Sequence, residues 1–242
     1  MEISEYKNIY QNETKHFFYV STHSLIIDLL KRFRPSLSSL KILDAGCGTG
    51  LLTKKLMKFG EVIGVDISSE AVKYAKKRGI NILQSSVNRL PFKNKSFDVI
   101  VSVDVLYHKQ VNDKKALHEF YRVLKPGGLV ILRVAGYNWL RLNHDRQVHT
   151  RHRYTVKELE EKLIKAGFTI KKITYIQSLL LPAAIIKSFI DKYKPHAESD
   201  IVQMPAFINT LLTKVFLIES RIASYTSLPF GLGIIAVSEK EK

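Results

Sequence analysis

Three observations predict an α/β fold, a doubly wound and mostly parallel sheet with helices on both faces. From Lys41 to Phe168, short apolar strand patterns alternate with helix patterns of 3.6-residue period. A glycine-rich run, KILDAGCGTG over residues 41–50, stands between the first strand and the first helix of that series. A second apolar run, EVIGVD over residues 61–66, ends in an acid sixteen residues after Gly50. At 242 residues and 45% hydrophobic content, the chain suits one domain with a sizeable core.

The elements follow in order. Residues 1–11 are polar and mixed in charge, with no apolar stretch of the kind a signal peptide needs. Phe18, Val20, Leu25, Ile26, Leu29 and Leu30 suggest a helical lid within residues 1–38. The core, residues 39–178, opens with a buried strand from Lys41 to Ala45 and a helix from Leu51 to Phe59. KPGG, residues 125–128, reads as the turn into a later strand, because proline fixes φ and glycine tolerates positive φ. A sixth strand, Phe168 to Gln177, and a last strand, Gly231 to Ser238, flank a helical insertion over residues 179–228; residues 229–242 close the chain. The insertion holds two apolar helix patterns separated by Pro195 and an acidic patch, and reads as the wall of an apolar acceptor pocket. Lys187, Asp191, Lys214 and Glu219 keep either pattern from the roughly 20 apolar residues of a membrane span.

The glycine loop is built to hold a polar ligand. Gly46, Gly48 and Gly50 sit on a strand-to-helix turn, where positive φ is allowed and helix N–H groups point outward. A phosphate loop is excluded, since Leu51 follows Gly50 where GxxxxGK[ST] is required. A dinucleotide fingerprint needs GxGxxG, and the third glycine here comes one residue early. Asp44 sets a carboxylate beside the site, which repels a pyrophosphate and suits a cation. A cationic nucleoside fits best.

LDAGCGTG with VIGVD resembles the first two motifs of the class I S-adenosylmethionine-dependent methyltransferases. Two later blocks, LPFKNKSFDVIVSVDVLYH from Leu90 and FYRVLKPGGLVILRV from Phe120, match the same family in order and spacing. The likeness is to its type 11 group, similar to the ubiquinone and menaquinone C-methyltransferases. It implies a Rossmann-like, seven-stranded sheet with an antiparallel last strand and S-adenosylmethionine as cofactor. By the same resemblance the cofactor is met by Asp44, Ala45, Gly46, Cys47, Gly48 and Gly50, by Asp66 at the ribose, by Ile67 at the adenine, and by Ser86, Val87 and Ser102. Ser86 stands where the family usually carries an acid, and its hydroxyl can still accept one hydrogen bond, so weaker adenine recognition is expected.

The acceptor side leaves more open. Residues 133–155, RVAGYNWLRLNHDRQVHTRHRYT, gather His144, Asp145, His149, His152, Arg153 and Tyr154. Metal ligation, general-base catalysis by a histidine, anion binding by Arg151 and Arg153, and a solvated lid-stabilising loop are all readings of this cluster. AGYNWL, HD and RHRYT also resemble a set of bacterial methyltransferases of poorly defined substrate, and the ETKHFF opening resembles a subgroup whose N-terminal segment packs over the cofactor. His108, at the carboxyl end of the fourth strand, is either a base or a loop cap, and Asp104 either a site residue or a cap. Catalytic candidates are thus His108, His144, His149, His152 and Tyr154, with no metal expected. The lone cysteine, Cys47, excludes an internal disulfide and is compatible with a reducing, cytoplasmic setting. A nucleophilic role for it lacks an evident base partner.

The expected reaction is methyl transfer by in-line displacement to a small-molecule or a lipid- or saccharide-linked acceptor. A net charge of +16 fits an anionic membrane surface, a nucleic acid, an acidic acceptor or a solvated surface. Peripheral membrane contact at the inner face follows from apolar helices joined to basic charge. RNA methylation and non-catalytic S-adenosylmethionine binding are the alternatives. No RNA-binding module is evident, and the absent [DN]PP[YF] motif argues against methylation of adenine or cytosine amino groups.

Overall fold

The computed structural model describes residues 1–34, 36, 39–193 and 204–241. Two helices open it, α1 (Ile3–Asn12) and α2 (Phe17–Phe33). Then come β1 (Leu40–Ala45), α3 (Leu51–Leu56), β2 (Gly60–Asp66), α4 (Ser69–Lys77), β3 (Ile82–Gln84), β4 (Phe97–Val103), α5 (Asp113–Val123) and β5 (Leu124–Ala135). The chain continues through α6 (Asn143–Gln147), α7 (Val156–Lys165), β6 (Phe168–Ile176), α8 (Leu181–Tyr193), α9 (Ala206–Tyr225) and β7 (Gly233–Lys240). Pro195 and the acidic patch lie outside the described residues.

The seven strands form one sheet in the order β3-β2-β1-β4-β5-β7-β6. β7 is antiparallel to both neighbours, β5 and β6, and the remaining pairings are parallel, as the sequence implied. Period-2 alternation sends successive strand residues to opposite faces. Leu43, Ile100, Val130 and Ile234 pack on one side with Leu117 and Phe120 of α5 and Leu159 and Leu163 of α7. Ile42, Val99, Ile131 and Ile235 pack on the other with Leu25, Ile26 and Leu29 of α2 and Leu52 and Leu56 of α3. Each such side chain, fully buried, contributes about 1.5–3 kcal/mol, so both helical layers are held by the strands' own residue pattern.

Three expectations are adjusted. The helix begun at Leu51 ends at Leu56 and tightens into a 3-10 turn over Met57–Phe59, ahead of Gly60. The N-terminal segment is two helices, because His16 caps α2 with its ring accepting the Phe18 N–H at 3.4 Å. KPGG lies inside β5 as an irregularity: the register steps from Phe97 opposite Leu124 to Val99 opposite Leu129, with Gly127 at φ 71°.

The reversal of strand order beside β1 opens a crevice at the carboxyl ends of β1 and β4, where doubly wound sheets bind ligands. α1 and α2 border it from the N-terminal side, and α8 from the insertion.

Candidate active site

β1 delivers the chain into the glycine loop, where Gly46, Gly48 and Gly50 hold φ of 81°, 54° and 82°. A Cβ on Gly46 would lie 2.1 Å from Val105 Cγ2, so that position tolerates no side chain. A Cβ on Gly48 would meet nothing within 4 Å, which leaves its face open to a ligand. Asp66, at the end of β2, takes the Gly48 N–H on Oδ2 and the Ser68 N–H on Oδ1, both at 2.9 Å. Each carboxylate oxygen keeps a second lone pair, the pattern needed to accept two adjacent hydroxyls.

Three carboxyls converge here. Asp44 is fully enclosed and accepts the Thr53 hydroxyl at 2.6 Å. Burial, then the nearby Asp66 and Glu13 charges, push its pKa up to about 7 against the pull of Thr53. Burial also raises Asp66 and Glu13. Glu13, at the end of α1, accepts the Thr49 hydroxyl and pairs with Arg78 of α4 at 2.6 Å, tying α1 to the loop. Arg78 answers Glu13, while Asp44 and Asp66 have no lysine or arginine within ion-pair distance among the described residues, so their charge is incompletely met. A cationic ligand would relieve that deficit.

From this loop a cavity of about 470 Å³ runs to the acceptor cluster. Asp44, Gly48 and Asp66 line it, as do His108, His144 and His149. Leu180, Ala183 and Ala184, with Met204, line the insertion side.

Comparison with known proteins agrees with this geometry. A family profile described as "Methyltransferase domain" matches residues 43–132. An uncharacterized protein of Methanocaldococcus jannaschii is 34% identical over 185 residues, 63% of this chain and 71% of that protein. The chain belongs to the class I S-adenosylmethionine-dependent methyltransferases. A tRNA (carboxymethyluridine(34)-5-O)-methyltransferase of Arabidopsis thaliana is 38% identical over 95 residues, covering 38% of this chain and 23% of that enzyme. The methyltransferase therefore spans about a quarter of the plant relative's length. Its fold is shared with a putative Haloferax volcanii methyltransferase solved in complex with the Trm112 methyltransferase activator, at TM-score 0.63 and 18% identity, covering 99% of this chain and 95% of that one.

The cofactor of this methyltransferase is S-adenosylmethionine, and the site fits it. The ammonium and sulfonium match the carboxyl cluster, and Asp66 has the free lone pairs a ribose requires. Of the residues expected to meet it, Asp44, Gly46, Cys47, Gly48, Asp66, Ile67, Ser86 and Val87 line the cavity. Ala45, Gly50 and Ser102 do not reach its wall. Ala45 is buried at the end of β1, and Gly50 is the N-cap of α3, facing Ala75. Ser102 donates to the Ala45 carbonyl at 2.8 Å, so it supports the loop from beneath. Ser86 accepts the Asn88 N–H at 3.2 Å and turns the chain at the cavity wall. Burial and the adjacent carboxylates push the Cys47 thiol well up, so no thiolate nucleophile forms.

The catalytic candidates divide. His108 holds its Nδ1–H on the Val148 carbonyl at 2.5 Å, leaving Nε2 as the basic nitrogen. Burial drives its pKa down to about 4, so the ring is neutral. His144 lines the cavity from α6. His149 also reaches it but is held by Glu2 at 2.6 Å and the Met1 amine at 3.3 Å, linking the acceptor loop to the N-terminus. His152 and Tyr154 lie off the cavity. His152 Nε2 pairs with Glu158 at 2.8 Å, and the buried Tyr154 hydroxyl bonds Asp113 at 3.0 Å and the Leu106 carbonyl at 3.2 Å. Arg153 is locked to Asp145 at 3.0 Å, and Arg151 pairs with Asp113 at 3.4 Å, so neither guanidinium stands free for an anion. Among the described residues no three His, Cys, Asp or Glu side chains converge as a metal site would require.

Sequence reasoning missed Arg133. It is buried in β5, ion-paired to Asp104 and bonded to Gln177 Oε1 at 2.9 Å, with Phe18 of α2 4.9 Å above it. Asp104, the candidate site residue, holds φ at 60° to make that pair. A lone arginine inside the apolar run LVILRV was the available signal, since a charge in a central strand requires a partner. Glu13 and Arg78 were missed as well, because their pairing joins segments 65 residues apart.

Proposed function

We propose that this methyltransferase acts on a small-molecule or lipid- or saccharide-linked acceptor, and that His108 is its general base. The observation that carries the reading is a single cavity lined by Asp44 and Asp66, by His108, and by apolar residues of α2 and the insertion. S-adenosylmethionine supplies an electrophilic methyl group on a sulfonium.

Asp44 and Asp66 hold the amino-acid and ribose ends of the cofactor, and Ile67 and Val87 border its adenine. The apolar wall excludes water and orients the acceptor for in-line attack, which needs a nucleophile about 3–3.5 Å from the methyl carbon. His108 Nε2 takes the proton of an acceptor hydroxyl or acidic carbon: the ring is unprotonated at physiological pH and so able to accept it, and its pKa of about 4 makes it a weak base suited to the more acidic acceptor groups. His144 and His149 are positioning residues around the acceptor in this reading. The chain acts as one catalytic unit with a lid over residues 1–38, a core over 39–178, an insertion over 179–228 and a closing strand over 229–242.

RNA methylation is the second reading. It is favoured by the similarity to tRNA methyltransferases and by the charge of +16, and that similarity spans 38% of this chain for the plant enzyme. Labelled-methyl transfer from S-adenosylmethionine into lipid, small-molecule and RNA fractions tests both. Label in the lipid or small-molecule fraction, lost with His108→Ala, is expected; label in RNA alone overturns the first reading.

A further inference from the structure

Each of the two insertion helices carries an exposed apolar row. On α8 and the turn before it, Leu179, Ile186, Phe189, Ile190 and Tyr193 recur at helical spacing and are more than half exposed. The other side is anchored by the buried Ala184 and by polar contacts: Ser188 donates to the Arg141 carbonyl at 2.8 Å, and the buried Asp191 accepts the Asn143 N–H at 2.8 Å. α9 repeats the arrangement. Phe207, Leu211, Ile218, Ile222 and Tyr225 face outward. Inward, Phe216 packs on Phe17 and Ala223 joins the core, while Asn209 accepts the Phe17 N–H at 3.0 Å and the buried Glu219 accepts the Ser178 N–H at 2.9 Å.

Exposed apolar rows on both helices cost solubility unless something covers them, and apolar exposure beyond scattered single residues marks an interaction site. Charge selects the occupant. The exposed charged residues of the two helices are Lys192, Lys214 and Arg221, all basic, while their acids Asp191 and Glu219 are turned inward. With a net +16 on the chain, two copies would repel face to face, whereas an anionic bilayer attracts both the charge and the apolar side chains. No helix among the described residues is long and apolar enough to cross a membrane, so the helices lie on a surface instead of spanning it.

We propose that the outward faces of α8 and α9 dock the protein on an anionic lipid bilayer. Leu180, Ala183 and Ala184 of the same segment line the cavity, so docking brings the acceptor end beside the lipid phase. The surface itself stands on its own residues, whatever the acceptor proves to be.

The test is co-sedimentation of the full chain with phosphatidylcholine vesicles, with and without phosphatidylglycerol, for wild type and two double variants. Binding to the anionic vesicles, weakened by salt and at least tenfold stronger than to phosphatidylcholine alone, is expected. Lys214→Ala with Arg221→Ala lowers that affinity about 25-fold, at roughly fivefold per basic residue. Phe189→Asp with Phe207→Asp abolishes it. Calorimetric binding of S-adenosylhomocysteine, unchanged in both variants, shows that they are folded and reads the cofactor site separately from docking. Failure to sediment at low salt, binding indifferent to lipid charge or to these substitutions, or a dimer in light scattering that Phe189→Asp dissolves would each overturn the proposal.

Discussion

The Thr53 hydroxyl donates to Asp44 at 2.6 Å beneath the glycine loop, and it is the one hydrogen bond that opposes the burial of that carboxyl. With its pKa near 7, Asp44 is largely protonated in the free protein below neutrality. A cofactor cation beside it favours the ionised form, so binding at pH 6 releases close to one proton and affinity climbs up to tenfold per pH unit before levelling above 7. Calorimetric titration at pH 6 in two buffers of different protonation heat measures that release. Asp44→Asn should bind weakly and release none, and Thr53→Val should lose about 2 kcal/mol, roughly 30-fold in Kd. A heat independent of buffer would refute this linkage.

Asp66 makes the second cofactor prediction. Its two oxygens already hold the loop through Gly48 and Ser68 N–H groups, so Asp66→Asn retains part of that scaffold while losing charge and one acceptor. Hydrogen bonds to a charged group contribute about 1.5–3 kcal/mol each, and two lost ribose bonds in Asp66→Ala should weaken S-adenosylhomocysteine binding by more than about 100-fold, with Asp66→Asn between that and wild type. Equal affinities for all three proteins would remove Asp66 from the cofactor site.

His108 and Tyr154 come from the same sequence reading and should behave oppositely. Tyr154→Phe removes a buried hydroxyl shared between Asp113 and the Leu106 carbonyl, so it should cost about 1–3 kcal/mol of stability in urea denaturation with kcat nearly unchanged. His108→Ala should instead cut kcat at least 100-fold, within the usual range for loss of a general base, while S-adenosylhomocysteine binding persists. Because the ring is neutral down to about pH 4, the wild-type rate should show no acid limb from His108 between pH 5 and 8. A kcat limb near 6.5 that disappears in His108→Ala would contradict the burial described for this ring.

The parallel sheet and the glycine loop were legible because local residue pattern determines them: alternation fills both cores, and three glycines meet the positive φ of one turn, while the antiparallel last strand was legible through the family resemblance. The acceptor cluster was legible only as a composition. His144, His149 and His152 lie within nine residues, yet the chain turns at His149, with φ at 54°, and sends His152 outward to Glu158. Arg151 and Arg153 looked available for an anion because their partners, Asp113 and Asp145, are assigned by tertiary packing. The exposed apolar rows of α8 and α9 were hidden for a related reason: an apolar stripe has the same period whether it faces a core or the solvent.

Buried histidines supply the last prediction. His23 is enclosed in α2, where Lys55 Nζ stands 3.2 Å from its Nδ1, and burial followed by the Lys55 charge lowers its pKa to about 3. In the unfolded chain a histidine takes its proton near 6.5. The unfolded state therefore binds more protons below that pH, and the contribution of His23, complete above 6.5, is lost as pH falls toward 3. His108 acts in the same direction down to about 4. Asp44 acts oppositely: its folded pKa is raised, so its contribution is complete below about 4 and disappears as pH rises through 7, with Asp66 and Glu13 raised in the same sense. The two sets of groups oppose each other between pH 5 and 6.5, and single variants separate their contributions. His23→Gln, which still accepts from Lys55, should remove about one proton of uptake and gain up to about 1.4 kcal/mol per pH unit over wild type on acidification. Asp44→Asn should lose a similar amount over the same interval. Urea midpoints at pH 5, 6 and 7 measure both, and curves parallel to wild type would place these groups in solvent.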